Sequence, residues 1–183
     1  MKKENCLLKE WHEEARKKLK HSLSLGNMME VPKIMKVVIN VGLKEAVSNS
    51  KVIGIASNII EAITSQKPVR AVAKKSIAGF KIREGMPIGV FVTLRGKLMF
   101  AFLKKLVDLT LPRVRDFQGV SKKFDGNGNY NLGIKDISVF PEAEASGAME
   151  LSSGLNITIV TNSDKDSHGY ALLESLGMPF YRK

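Results

Sequence analysis

Residues 31–42 read VPKIMKVVINVG. Met35, Val37, Ile39 and Val41 alternate with Lys36, Val38 and Asn40, and Gly42 closes the run. A period of two sends successive side chains to opposite faces of a pleated strand. The stretch therefore predicts a strand buried on one face and open on the other.

The same signal returns downstream. VRAVA (69–73) predicts a short strand. In VFVTLRG (90–96), Val90, Val92 and Leu94 oppose Phe91, Thr93 and Arg95, and in LNITIVT (155–161), Leu155, Ile157 and Ile159 oppose Asn156 and Thr158. IKDISVF (134–140) predicts a further strand.

Helical spacing fills the intervals. Leu8, Trp11, Ala15 and Leu19 form one stripe over residues 4–24, ended by Gly26. Val52, Ile55, Ala56, Ile59 and Ile63 form another, with Ser48 or Ser50 as the expected N-cap and Pro68 forbidding continuation. Residues 97–112 carry Met99, Phe102, Leu103 and Leu106, stopped at Pro112. In residues 163–180, Ser163 and Asp166 have capping-box spacing, Leu172, Leu173 and Leu176 form the stripe, and Gly177 with Pro179 ends it.

Strands and helices alternate without a Pro- or Ser-rich linker or an internal repeat. The expectation is one α+β domain over residues 1–183, a mostly antiparallel sheet with helices on its apolar face. Two long stretches fit neither period, KKSIAGFKIREGMPIG (74–89) and RVRDFQGVSKKFDGNGNYNLG (113–133). Irregular stretches of this length in a compact domain are uncommon, and are usually either functional or disordered.

Charge narrows the function. The chain has 29 Lys and Arg against 18 Asp and Glu, a formal net charge of +11, which implies polyanionic partners and nucleic acid first among them. The loop at 74–89 concentrates Lys74, Lys75, Lys81 and Arg83 against Glu84 alone. With the single cysteine Cys6 no internal disulfide is possible, which fits a reducing, cytoplasmic setting. The opening MKKENCLLKEWHEEARKKLK never reaches an apolar run of signal-peptide length, and no stretch reaches the ~20 apolar residues of a membrane span, so no membrane partner is expected.

Catalytic and metal chemistry find no support. DGNGNYNLGIKD places Asp125, Asn127 and Asn129 like the first ligands of a calcium loop. Tyr130 then stands where the sharp turn needs glycine, and Asp136 replaces the bidentate glutamate. An Asn/Gly turn is the better reading. GNGN lacks the third glycine of a dinucleotide fingerprint, and no phosphate-cradling loop ends in Gly-Lys-Ser/Thr. His12, His21 and His168 fall on helices without partners at ligand spacing, and read as solvated surface histidines. Cys6 is a weak nucleophile candidate, and Trp11 is an anchor for the first helix. The chain is not expected to be an enzyme, nor to carry a metal or cofactor.

The strand pattern is more informative. If each strand turns its apolar residues toward the helices, the outward set contains Lys36, Asn40, Thr93, Arg95, Asn156 and Thr158, with no acid among them. Amides and hydroxyls bond phosphates, ribose 2′-hydroxyls and base edges, and arginine adds charge and stacking. No basic recognition helix stands out, so RNA is favoured over DNA.

VPKIMKVVINVGLKEA, SQKPVRAVAKKSIAGFKIREGMPIGVFVTLRG, LPRVRDFQGVSKKFDGNGNYNLGI, GLNITIVT and a closing MPFYRK occur in this order. Together they resemble the bacterial-type L-five family of large-subunit ribosomal proteins, which bind 5S rRNA. The resemblance covers essentially the whole chain. It implies a place in the central protuberance of the large subunit, anchoring 5S rRNA and touching 23S rRNA. It places the family's RNA-binding module on the exposed sheet face at Asn40, Thr93 and Arg95, with Gln66 beside them. Where the family usually has Asp in its GLDI-like motif, this chain has Asn156, which can donate as well as accept.

The resemblance also implies that the loop at 74–89 projects toward the elbow of the peptidyl-site tRNA, through Lys74, Lys75, Ser76, Gly79, Phe80, Lys81 and Arg83. Phe80 would supply an apolar or stacking contact at the tip. It places residues 113–133 near the small-subunit head and an intersubunit bridge.

Overall fold

Among the described residues, Ile34–Gly42 (β1), Val69–Val72 (β2), Pro87–Leu94 (β3), Tyr130–Ile134 (β4) and Leu155–Thr161 (β5) form a sheet in the order β2-β3-β1-β5-β4. The computed structural model describes residues 14–145 and 153–181, apart from 21, 24, 48 and 50. β2 and β3 run antiparallel, with Val69 opposite Phe91 and Ala71 opposite Gly89. Leu43 N–H donates to Ile88 O at 3.0 Å, setting the end of β1 beside the start of β3. Asn162 N–H donates to Lys33 O at 3.1 Å, setting the end of β5 beside the start of β1. The sheet is antiparallel. Helices occupy residues 14–20 (α1), Lys51–Thr64 (α2), Gly96–Lys105 (α3), Pro141–Ala145 (α4) and Asp166–Ser175 (α5), and the class is α+β.

The chain divides into two compact units. One comprises Met1–Val37, Arg95–Leu132 and Thr158–Lys183, the other Val38–Leu94 and Gly133–Ile157.

In the second unit α2 packs on β3. Val52, Ala56, Ile59 and Ile63 are buried as their spacing requires, joined by Ile53 and Ile60. Burying each large aliphatic side chain contributes about 1.5–3 kcal/mol, so this helix is held chiefly by its packing face. Ile55 is only half-buried. The helix begins on Asn49, whose Oδ1 accepts the Lys51 N–H at 3.1 Å; Ser48 and Ser50, the caps expected from sequence, lie outside the described residues. Gly89 is a point of close approach, since a Cβ there would stand 2.7 Å from the Val41 carbonyl oxygen.

In the first unit the expected stripe Met99, Phe102, Leu103 and Leu106 is buried, but the helix does not run evenly to Pro112. After Lys105 it widens into one π-helical turn over Leu106–Thr110 and tightens to a 3-10 turn at Leu111–Arg113. Of the first expected helix, Ala15 and Leu19 are buried in α1. Leu8, Trp11, Cys6, His12 and His21 lie outside the described residues.

Four further expectations change. Met35 is 44% exposed, and Ile34 takes the buried place at the head of β1. Residues 134–140 are not a strand: Ile134 ends β4, and Ile137–Val139 is a 3-10 turn. Ile137 and Phe140 are fully buried on that turn, so their apolar spacing reports burial rather than pleat. The capping box fails as well, because α5 starts at Asp166. The Asp166 carboxylate accepts Gly128 N–H at 2.8 Å instead, and Ser163 N–H donates to the Thr161 hydroxyl. Finally, β3 begins at Pro87, so Pro87 and Gly89 belong to a strand and not to the basic loop.

Candidate nucleic-acid interface

Strand alternation places the outward residues as the sequence predicts, each within its own unit. In the second unit Asn40 and Asn156 are exposed and Thr93 is half-buried, while Ile39, Val41, Val92, Leu94, Leu155 and Ile157 are buried. In the first unit Arg95 is exposed and Lys36 and Thr158 are half-buried. Arg95 stands at the N-cap of α3 with extended backbone, φ −139° and ψ 159°, so the alternation of β3 continues through it. None of the five strands contains an aspartate or glutamate.

Two predicted residues are joined directly. Thr64 ends α2 by donating its hydroxyl to Ile60 O at 2.7 Å and accepting Gln66 N–H at 3.3 Å, while Ser65 takes a left-handed φ of 54°. That turn delivers Gln66 to β3, where its Nε2 donates to the Thr93 carbonyl oxygen at 3.3 Å. One amide proton and the Gln66 Oε1 remain for an outside partner. This part of the face therefore presents neutral donors and acceptors with no acid among them. Such groups can contact RNA backbone and base edges without repelling phosphate.

Sequence reasoning missed Asn131. It is exposed on β4, where its Oδ1 accepts the Thr158 hydroxyl at 2.7 Å. Reading β4 as Tyr130–Ile134 rather than 134–140 would have found it, since Tyr130 and Ile134 are buried and Asn131 alternates with them. A Cβ at Gly133 would stand 3.5 Å from the Asn156 Oδ1, an ordinary contact.

The basic loop is more ordered than its lack of periodicity suggests. Ala73 N–H donates to Met86 O at 2.8 Å and Gly85 N–H to Ala73 O at 2.9 Å. Ile77 and Ile82 exchange a pair of bonds at 2.9 and 3.1 Å, and Glu84 N–H donates to the Ser76 hydroxyl at 2.9 Å. A 3-10 turn, Ala78–Phe80, caps this ladder, with Lys81 left-handed at φ 55°. The left-handed positions in the loop are thus Lys81 and Gly85.

Lys74, Lys75, Ser76, Gly79, Phe80, Lys81 and Arg83 are all exposed, Phe80 by 71%. Phe80 lines a groove of about 580 Å³ together with Leu43, Lys44, Lys81, Ile82 and Ile88. The loop joins β2 to β3, whereas the Gln66–Thr93 bond lies at the opposite end of that hairpin. The span of β2, about 10 Å at strand rise, separates the two ends.

Residues 113–133 are also tied down, within the first unit. Val120 N–H donates to Pro179 O at 2.8 Å and Tyr181 N–H to Val120 O at 3.0 Å, and a Cβ on Gly119 would collide with the Tyr181 nitrogen. Phe124, Tyr130, Tyr170 and Phe180 form an aromatic cluster, with Tyr130 edge-on to Phe180 at 5.8 Å and Lys122 Nζ 5.8 Å above the Tyr170 ring. The Tyr130 hydroxyl donates to Ser121 O at 2.7 Å, and burial pushes its pKa up to about 12.

The Asp125 carboxylate accepts Asn127 N–H, Asn129 N–H and Asn129 Nδ2, which lowers its pKa, the Asn129 side chain contributing most. It closes an Asx turn. Among the described residues no cluster of three His, Cys, Asp or Glu could hold a metal, and no helix is long and apolar enough to cross a membrane. His168 sits half-buried on α5.

Comparison with known proteins identifies the family. Residues 27–83 match the ribosomal protein L5 family, and residues 87–180 match the C-terminus of that ribosomal family. The large ribosomal subunit protein uL5 of Pelobacter propionicus is 54% identical over 171 residues, covering 93% of this chain and 95% of that protein. The uL5 of Halothermothrix orenii is 53% identical over 177 residues, covering 96% and 98%. That of Synechococcus sp. strain RCC307 is 51% identical over 175 residues, covering 95% and 97%. The chain belongs to the ribosomal protein L5 family, as a structural and non-enzymatic constituent of the large ribosomal subunit.

Proposed function

We propose that this chain anchors 5S rRNA to the large subunit of the cytoplasmic ribosome, touching 23S rRNA in the central protuberance. The contacting groups are Lys36, Asn40, Gln66, Thr93, Arg95, Asn156 and Thr158. The observation that carries the reading is the acid-free set of strands, with the Gln66 amide fixed on the Thr93 carbonyl beside it. Phosphate-bearing RNA can approach such a surface without meeting a like charge, while oriented amides and hydroxyls select its backbone geometry.

The β2–β3 loop has a separate role in this proposal. Its four cations and exposed Phe80 contact the elbow of the peptidyl-site tRNA, at the hairpin end remote from Gln66. Residues 113–133 face the small-subunit head at an intersubunit bridge. The direct test is crosslinking of the chain in large-subunit particles and in full ribosomes carrying peptidyl-site tRNA, mapped to single nucleotides. Crosslinks from Asn40 or Thr93 to 5S rRNA, and from Phe80 or Lys81 to tRNA, are expected. Crosslinks from Asn40 and Thr93 to protein alone would reject the RNA face.

A further inference from the structure

The Thr158 hydroxyl has one proton, and it is spent on the Asn131 Oδ1 at 2.7 Å. Thr158 is therefore left with lone pairs only. Asn131 is held by its oxygen, which fixes the side of the amide that carries two N–H protons. Among the described residues no partner within the chain engages that Nδ2, and the residue is exposed. Two neighbouring strands thus display a donor and an acceptor side by side, with orientations set before any ligand arrives. Preorganisation of this kind lowers the ordering cost of binding.

We propose that Asn131, positioned by Thr158, is an RNA-recognition residue that engages a ribose 2′-hydroxyl. Its Nδ2–H donates to the hydroxyl oxygen, and the hydroxyl proton returns to a lone pair on Thr158 Oγ1. A group that is both donor and acceptor completes the ring of three hydrogen bonds. The ribose 2′-hydroxyl has that character at every RNA nucleotide and is missing from DNA. The inference rests on the sheet face being the RNA surface, and adds to it a fourth strand, β4, and a residue that reads sugar identity.

The experiment uses the full chain and a 5S rRNA pool carrying randomly placed 2′-deoxynucleotides, with bound and free fractions mapped by position. Asn131→Ala is expected to bind unmodified 5S rRNA on the order of tenfold more weakly. Thr158→Val should weaken binding by a similar factor, and the double variant no more than either single one, because one residue acts through the other. A 2′-deoxy interference signal seen with the parent chain should vanish with Asn131→Ala. Asn131→Asp, which is isosteric and still accepts the Thr158 proton, covers any disturbance of β4 by alanine and should bind weaker than the parent.

An Asn131→Ala affinity equal to the parent, while Asn40→Ala binds weakly, overturns this inference and leaves the RNA face standing. Parent-like affinity for both variants overturns the two together. Strictly additive effects overturn the positioning role of Thr158, and an unchanged interference pattern overturns the 2′-hydroxyl.

Discussion

Gln66 Nε2 donates to the Thr93 carbonyl oxygen at 3.3 Å, so a turn residue just beyond α2 is fastened to the strand whose outward side chains it neighbours. Removing the amide should loosen the site without touching the core. Gln66→Ala is expected to weaken 5S rRNA binding by about 1 kcal/mol. Gln66→Glu should weaken it more, since a carboxylate cannot donate to Thr93 and repels phosphate. Filter binding beside thermal melts checks this, and a Glu variant that binds like the parent contradicts it.

Asn40 is exposed on β1 between buried Ile39 and Val41, and Arg95 is exposed directly after buried Leu94 at the end of β3. Arg95→Ala and Asn40→Ala should each cost on the order of 1–3 kcal/mol of 5S rRNA affinity, by analogy with side-chain readout of base edges. Circular dichroism should stay native, as neither side chain contributes to the core. Unchanged affinity in both would remove the sheet face as the binding surface.

Asn156→Asp installs the carboxylate that the family resemblance implies at this position. The side chain is exposed on β5 and the Gly133 side leaves it ordinary room, so the fold should be unaffected. The variant is expected to bind 5S rRNA at least as tightly as the parent, through an accepted hydrogen bond. Markedly weaker binding would mean that Asn156 donates, or stands close to a phosphate.

For the β2–β3 loop, alanine at Lys74, Lys75, Lys81 and Arg83 together should spare 5S rRNA affinity and reduce peptidyl-site tRNA retention on reconstituted ribosomes. Removing each cation that neutralises a phosphate should flatten the log–log salt dependence of the loop's RNA interaction by somewhat under ~1 unit. Shortening the loop across Ser76–Arg83 should leave the protein folded, because the Ala73–Met86 and Gly85–Ala73 bonds at its base remain. Collapse of 5S affinity with normal tRNA retention would assign the loop to the rRNA anchor instead.

Tyr130 ties pH to stability. Its folded-state pKa is raised from 10.0 to about 12 by burial, so between those values the unfolded chain loses a proton that the folded chain keeps. Its stabilising contribution is whole below pH 10 and is lost as pH rises through about 12. Tyr130→Phe should cost about 1 kcal/mol at neutral pH through the missing bond to Ser121, yet decline less steeply in this alkaline range. Denaturant midpoints at neutral pH and across the interval between the two pKa values measure both effects.

The sheet face was legible because alternation is a local property. Val90, Val92 and Leu94 announce by their spacing that Thr93 and Arg95 point away. β4 was misread because Ile134 ends it while Ile137 and Phe140, also buried, sit on an irregular turn beyond it, and apolar spacing alone cannot separate a strand from buried coil. The cap at Asp166 was misread for a different reason. Its carboxylate has a partner distant in sequence, Gly128, and that tertiary bond displaced the local motif. The bond from Gln66 to Thr93 depends on the left-handed Ser65, which nothing in SQKP announces.

The clasp between Val120 and the segment Pro179–Tyr181 has a temporal meaning. A ribosome makes Val120 well before Pro179, so a nascent chain carries the 119–121 stretch without the backbone partners that later hold it. The aromatic cluster must likewise wait for Phe180. Closure of this part of the fold is therefore deferred during synthesis: until residues 179–181 are made, the backbone at Val120 lacks the two hydrogen bonds that hold it.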